Sequence, residues 1–175
     1  MLTPIERFDQ RVNERLERLR RPALDRIFYP LSSAADHSLL WLILGTFRAF
    51  RQTDVPFAVR FAAAMGFESA LTNGPIKMLF DRRRPLAGAV APDPLPYGMH
   101  RPITSSFPSG HATAGFTAAM LLSRPGRRSP WFLLAAAVSS SRVYVRMHFA
   151  SDVIGGAVVG LVLGRLLRRW VNPDH

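Results

Sequence analysis

The chain contains no cysteine, which excludes a disulfide framework, a thiolate zinc or iron–sulfur centre and a cysteine nucleophile together. Lysine is almost as scarce: Lys77 stands alone beside 22 arginines, so that position calls for something arginine does not supply. Uninterrupted apolar runs of about 18 residues, the length that marks a transmembrane helix on sight, are missing too. The first 37 residues are charged throughout and hold no apolar middle of the kind a cleaved signal peptide needs. At 175 residues there is room for one hydrophobic core and not for two, which sets aside a multidomain enzyme.

What is present divides into charge and broken apolar segments. A net charge of +11 directs attention to an anionic partner: nucleic acid, a membrane surface or a phosphorylated substrate. Apolar segments of helix length recur at residues 38–50, 55–80, 111–123, 130–147 and 149–167. They are rich in Ala, Gly, Ser and Thr, the residues that let membrane helices approach closely, and Gly156, Gly160 and Gly164 repeat along one face of the last. The pattern predicts an all-α, integral-membrane helical bundle of about five transmembrane helices. The competing reading is a soluble all-α domain with buried helices, to which Arg60 and Glu68 lend weight because ionisable groups are costly in lipid.

Residues 1–30 read as an amphipathic helix and linker ahead of a membrane domain at 31–170. Thr3-Pro4-Ile5-Glu6 has the form of a capping box, and Ile5, Phe8, Val12, Leu16 and Leu19 then share a helical face. Such a helix either lies among lipid headgroups, the favoured reading, or packs on the domain. Residues 86–107, with Pro108 beside them, carry five of the 14 prolines and are expected to form a functional loop.

Three clusters flank the apolar segments. Lys77 and Arg84-Pro85 are seven residues apart, which puts two cations on one face if the helix continues that far; Arg82 and Arg83 read as headgroup contacts. At Pro108-Ser109-Gly110-His111 a proline-rich loop enters a helix of small residues, whose outward N–H groups suit a phosphate oxygen. His111 there is either structural or a general acid. In the third cluster Ser141-Arg142 precedes His148 and Asp152, which would stack on a helix so that the carboxylate accepts the imidazole N–H. The imidazole is then a candidate nucleophile. A metal site would need further ligands from His37, His100, Glu68 or His111, which have no ligand spacing and stand among arginines; no metal and no cofactor is expected.

In this order the clusters resemble the signature of the type 2 phosphatidic acid phosphatase superfamily: Lys with Arg-Pro seven residues on, Pro-Ser-Gly-His, then Ser-Arg with His six and Asp ten residues after that Arg. The resemblance covers residues 77–152 directly and, through the segment lengths, roughly 35–168. It implies a helical core and a metal-free phosphohistidine mechanism. Lys77, Arg84 and Arg142, with Ser109 and the N–H of Gly110, would clamp the phosphoryl oxygens. His148 would attack phosphorus, Asp152 would orient it, and His111 would protonate the leaving alkoxide and then activate water. A lone ammonium at position 77 fits as a point charge where a guanidinium imposes its flat fork.

The family includes soluble exported acid phosphatases and much longer haloperoxidases, so the fit is to a membrane lipid phosphatase. Its substrate would be a phosphate ester or diphosphate of the polyprenyl type or of the phosphatidic acid or phosphatidylglycerol phosphate type. A looser likeness to small actinobacterial members adds decaprenylphosphoryl-5-phosphoribose. All clusters fall at one end of the alternating segments. Arg48, Arg51, Arg124, Arg127, Arg128, Arg165, Arg168 and Arg169 lie at the other, which the positive-inside rule makes cytoplasmic. That predicts a multi-pass plasma-membrane protein with an extracytoplasmic site. The arginine-rich start conflicts with this orientation, although Glu6, Asp9, Glu14, Glu17 and Asp25 offset its charge. The expected partners are a lipid phosphate and the bilayer. Nucleic acid is excluded because the arginines straddle apolar segments. The reading from another class is a catalytically idle protein that binds lipid phosphate, set against the retention of His148, His111 and Asp152.

Overall fold

The computed structural model describes residues 2–85, 104–123 and 129–173, and among these there is no strand. Seven α-helices follow one another: α1 (Pro4–Leu19), α2 (Pro22–Ala34), α3 (Leu39–Gln52), α4 (Val55–Leu71), α5 (Gly110–Leu122), α6 (Ser129–Tyr144) and α7 (Ala150–Val171). A 3₁₀ turn at Asp36–Ser38 precedes α3, and a π turn at Thr72–Ile76 ends α4. The five apolar segments of the sequence fall on α3 to α7.

Local chemistry sets the boundaries. The Thr3 hydroxyl accepts from the Glu6 N–H at 3.2 Å while the Glu6 carboxylate accepts from the Thr3 N–H at 2.7 Å, closing the capping box that starts α1. Asp54 caps α4 by accepting from the Phe57 N–H at 3.0 Å. The long segment 55–80 is not one helix. Pro75 has no N–H for the α ladder, and the chain passes through the π turn at Gly74-Pro75 instead. Lys77 sits just past that turn and the helix is over by Phe80, so Lys77 and Arg84 do not share a helical face.

α5 is the centre of the bundle, packed on α6, α7, α4 and α3. Its Ala112, Ala118, Ala119 and Leu121 are fully buried, beside Trp41, Phe57, Phe61 and Val138. The Gly156, Gly160 and Gly164 stripe of α7 lies on α5. A Cβ at these positions would run into the Ser109 carbonyl, the Thr113 carbonyl and the Met120 side chain respectively. The Thr117 hydroxyl uses the approach to donate to the Gly160 carbonyl at 3.1 Å.

The outer faces are apolar. Leu39, Ile43, Phe47 and Phe50 on α3, and Ile154, Val158, Val162, Leu166 and Trp170 on α7, recur every three or four residues and are each more than half exposed. Stripes of this extent do not face water in a soluble protein, and the fold is that of an integral-membrane helical bundle. Among the described residues α7, 22 residues long with a mean hydropathy of 1.6 over its best window, is the one helix long and apolar enough by itself to cross a bilayer. At the end of the bundle away from the three clusters, Arg48 donates to Asn172 at 3.1 Å and covers the Phe57 ring at 3.9 Å. Arg168 donates to the Ser123 carbonyl at 3.3 Å. Most of the proline-rich loop and the basic turn at 124–128 lie outside the described residues.

Candidate active site

Four helix ends meet at one end of the bundle: the C-terminal ends of α4 and α6 and the N-terminal ends of α5 and α7. Between them is a cavity of about 510 Å³ whose lining includes Lys77, Arg84, Gly110, His111, Arg142 and His148. The three clusters, spread over 76 residues of sequence, thus face one space. Ser109 and Asp152 stand behind the lining, both fully buried. The Ser109 N–H donates to the Asp152 carbonyl at 3.0 Å, and its hydroxyl caps α5 by accepting from the Ala112 N–H at 3.4 Å.

The three cations line the cavity and are each held by hydrogen bonds to the surrounding chain. Lys77 Nζ donates to Asn73 Oδ1 at 3.0 Å. A Cβ at Gly110 would meet that same Asn73 oxygen at 3.2 Å and Lys77 Nζ at 3.9 Å, so α5 begins close against the ammonium and its partner. Arg84 donates to the Met147 carbonyl at 2.8 Å and to the Ser105 carbonyl at 3.3 Å. Arg142 donates to the Ser32 hydroxyl at 2.5 Å and lies 3.6 Å from Asp36.

His148 does not stack on Asp152 within a helix. It precedes α7, and Asp152 occupies the first turn, where it accepts from the Phe149 N–H at 2.8 Å as a cap. The closest acceptor to His148 Nδ1 is the Ser106 carbonyl at 2.7 Å, with Asp152 Oδ2 at 3.7 Å. A carbonyl only accepts, so Nδ1 carries the proton and Nε2 keeps its lone pair, 3.1 Å from the Arg84 guanidinium. Burial, and then the charges of Arg84 and Arg142, push the His148 ring down to about 3 against the pull of Asp152, which leaves it neutral.

Arg82 is not a headgroup contact. Its guanidinium bridges two buried carboxylates, Asp152 at 2.5 Å and Asp9 at 2.7 Å, and also donates to the Ser151 hydroxyl at 2.7 Å. Asp9 in turn accepts from the Ser151 N–H at 2.9 Å and its hydroxyl at 2.6 Å. The N-terminal helix therefore braces the histidine–aspartate pair from behind, while its Ile5, Phe8 and Leu19 stay exposed.

His111 has a carboxylate partner of its own. Its Nε2 lies 2.9 Å from Asp36 Oδ1, on the turn between α2 and α3. Burial alone would raise the Asp36 carboxyl, but His111 and Arg142 outweigh it and hold the group below its ordinary range. No group of three or more potential metal ligands occurs among the described residues.

Residues 57–175 match the profile of the PAP2 superfamily. The chain belongs to that superfamily. This PAP2 chain is 29% identical over 147 residues, 84% of its length and 80% of the relative's, to the decaprenylphosphoryl-5-phosphoribose phosphatase of Mycobacterium tuberculosis. It is 26% identical over 131 residues, 74% of its length and 66% of the relative's, to the undecaprenyl-diphosphatase BcrC of Bacillus subtilis. In fold it is similar to the crystal structure of a transmembrane PAP2-type phosphatidylglycerolphosphate phosphatase from Bacillus subtilis, with a TM-score of 0.74, 24% identity, and coverage of 99% of this chain and 89% of that one.

Sequence reasoning overlooked Asp9, Ser32, Asp36 and the Ser106 carbonyl in this PAP2 site, and gave Arg82 to lipid headgroups. One signal was available for the acids. With 12 carboxylates against 23 cations, an acid with no local partner, such as Asp36, is a candidate for pairing with a distant cation.

Proposed function

We propose that the chain is a metal-independent lipid phosphatase that works through a phosphohistidine at His148. The observation that carries this reading is the neutral imidazole whose Nε2 lone pair borders a cavity also lined by Lys77, Arg84 and Arg142. Three cations offset the negative charge of a trigonal-bipyramidal phosphoryl group, and the Gly110 N–H and the capped start of α5 at Ser109 complete the cradle. In the first step Nε2 bonds to phosphorus as the bond to the leaving oxygen breaks, and His111 gives that oxygen its proton. In the second, His111 takes a proton from water, the water oxygen bonds to phosphorus, and the N–P bond breaks to restore His148. The Ser106 carbonyl orients His148, and Asp152, 3.7 Å from Nδ1, balances the charge the ring gains in place of the orienting role expected of it.

The substrate is a membrane lipid bearing a phosphate ester or diphosphate, of the polyprenyl or glycerolipid class. The names of the relatives and the apolar outer faces support this. Residues 31–170 form the membrane-embedded phosphatase domain, and residues 1–30 lie at its interface. The protein crosses the plasma membrane several times, with the cavity at the extracytoplasmic surface, which the arginines at the opposite end support. The test is phosphate release in EDTA by the detergent-purified protein and by His148→Ala, across phosphatidic acid, phosphatidylglycerol phosphate, a polyprenyl diphosphate and a polyprenyl phosphoribose phosphate. Release that survives EDTA and disappears with His148 is the expected result; full activity without His148 would sink the mechanism.

A further inference from the structure

Glu68 belongs to none of the three clusters, yet it lines the same cavity. It is 1% exposed, in the interior of α4. Its Oε1 accepts from the Thr72 hydroxyl at 3.0 Å, and Oε2 has no hydrogen-bond partner among the described residues. A buried carboxylate oxygen without a donor is costly in any protein and more so at membrane depth. Its position says which donor it meets.

In-line displacement puts the leaving oxygen on the far side of phosphorus from His148. His111 serves that oxygen, so the alcohol part of the substrate continues past His111. Ser38, Glu68, Ser69 and Asn73 also line this cavity, Asn73 beside Lys77, as does Asp36, which meets His111. A groove of about 620 Å³ between α3 and α4 shares Ser38, Ser69 and Asn73 with the cavity and continues over Leu42, Ala62, Met65, Gly66 and Ala70. A Cβ at Gly66 would touch nothing within 4 Å, so the groove is open there. The cavity therefore opens into an apolar groove through polar residues next to Glu68 in the chain and across from it on the turn before α3. A lipid with its phosphate directly on a hydrocarbon would lay methylenes against Glu68. One with hydroxyl groups between phosphate and tail would supply the missing donor.

We propose that Glu68 selects substrates in which a hydroxylated segment, a sugar or a glycerol unit, separates the scissile phosphate from the tail, its Oε2 accepting from one of that segment's hydroxyl groups. The inference rests on the phosphatase reading above. Glu68 acts on specificity and takes no part in the bond changes.

The experiment compares the unmodified protein with Glu68→Leu, which is apolar and of similar size, and with Glu68→Gln, which keeps an acceptor oxygen. The substrates are phosphatidylglycerol phosphate, a prenylphosphoryl ribose phosphate and farnesyl phosphate, the last without any hydroxylated segment. Glu68→Leu is expected to lower kcat/KM about 10- to 100-fold on a hydroxylated substrate and to leave farnesyl phosphate within about threefold. Glu68→Gln should fall between, with the same selectivity. Whichever hydroxylated lipid loses more identifies sugar or glycerol. Equal losses on all three substrates, or none on any, would overturn the inference; if the leucine variant does not fold, the glutamine variant decides by the same criterion. No release from any substrate by the unmodified protein would instead overturn the phosphatase reading, and this inference with it.

Discussion

The two histidines of the cavity are supported in different ways. His148 is wholly buried, bonded to a backbone carbonyl, and backed by a chain of charge that runs through Asp152 and Arg82 to Asp9 on another helix. His111 meets a single carboxylate, Asp36, whose side chain is 35% exposed. Asp36 sits on a short turn whose next two residues, His37 and Ser38, have φ of 52° and 61°, a left-handed conformation that favours glycine. The side that forms the covalent bond in the proposed mechanism is fixed by many contacts. The side that serves the leaving group rests on few, and it borders the part of the cavity where substrates differ. Contacts are more numerous where the geometry is the same for every phosphate ester than where the alcohol varies.

His148→Ala removes one side of this comparison outright and should lower kcat by about 1,000-fold or more, measured as phosphate release. Arg82→Met keeps the nucleophile but cuts its support from behind, leaving Asp9 and Asp152 buried without their shared cation. We expect kcat to fall about 10- to 100-fold with little change in KM. Stability should fall by about 3 kcal/mol, read by unfolding in detergent. Asp36→Asn weakens the other side. It should cost about tenfold on an alkyl phosphate, and less than about threefold on p-nitrophenyl phosphate, whose leaving group needs no proton. Equal losses on both esters would mean that Asp36 acts on phosphate binding and not on His111.

The smallest effect is on pH. The unfolded chain protonates position 148 near 6.5, whereas the folded chain holds the ring neutral down to about 3. Between these values the unfolded state binds the extra proton, so stability falls as pH drops from about 6.5 toward 3. Thermal unfolding of His148→Gln between pH 7 and pH 4.5 should show a shallower decline than the unmodified protein. An identical decline would place the acid sensitivity elsewhere.

Some of this was legible in the sequence and some was not, for physical reasons. The Gly156, Gly160 and Gly164 spacing named a helix face, and that face is the one pressed on α5. Lys77, Arg84, Gly110, His111, Arg142 and His148 stood in motifs at segment ends, and the helix order brings those ends together. The helical face expected for Lys77 and Arg84 failed because the helix is over by Phe80, between the two residues, and the residue before Pro85 is biased away from helix. Asp9 and Arg82 are 73 residues apart, and Arg82 and Asp152 are 70. No periodicity links such pairs. The Ser106 carbonyl that fixes the His148 tautomer is a backbone atom, and residue type carries no trace of it.

The glycine seam between α5 and α7 has a consequence for rate. α5 carries His111 at its start, and α7 carries Asp152 in its first turn with His148 just ahead. On the proposed mechanism the closeness of the two helices therefore gauges the separation of His111 and His148 across a bound phosphate. Gly156, at the upper end of the seam, lies against the Ser109 carbonyl. One methyl group there would act as a shim, widening the gap into which the phosphoryl group must fit. Displacements of about 1 Å can cost two orders of magnitude in turnover, so on the proposed mechanism a glycine outside the cavity lining sets the spacing on which the rate depends.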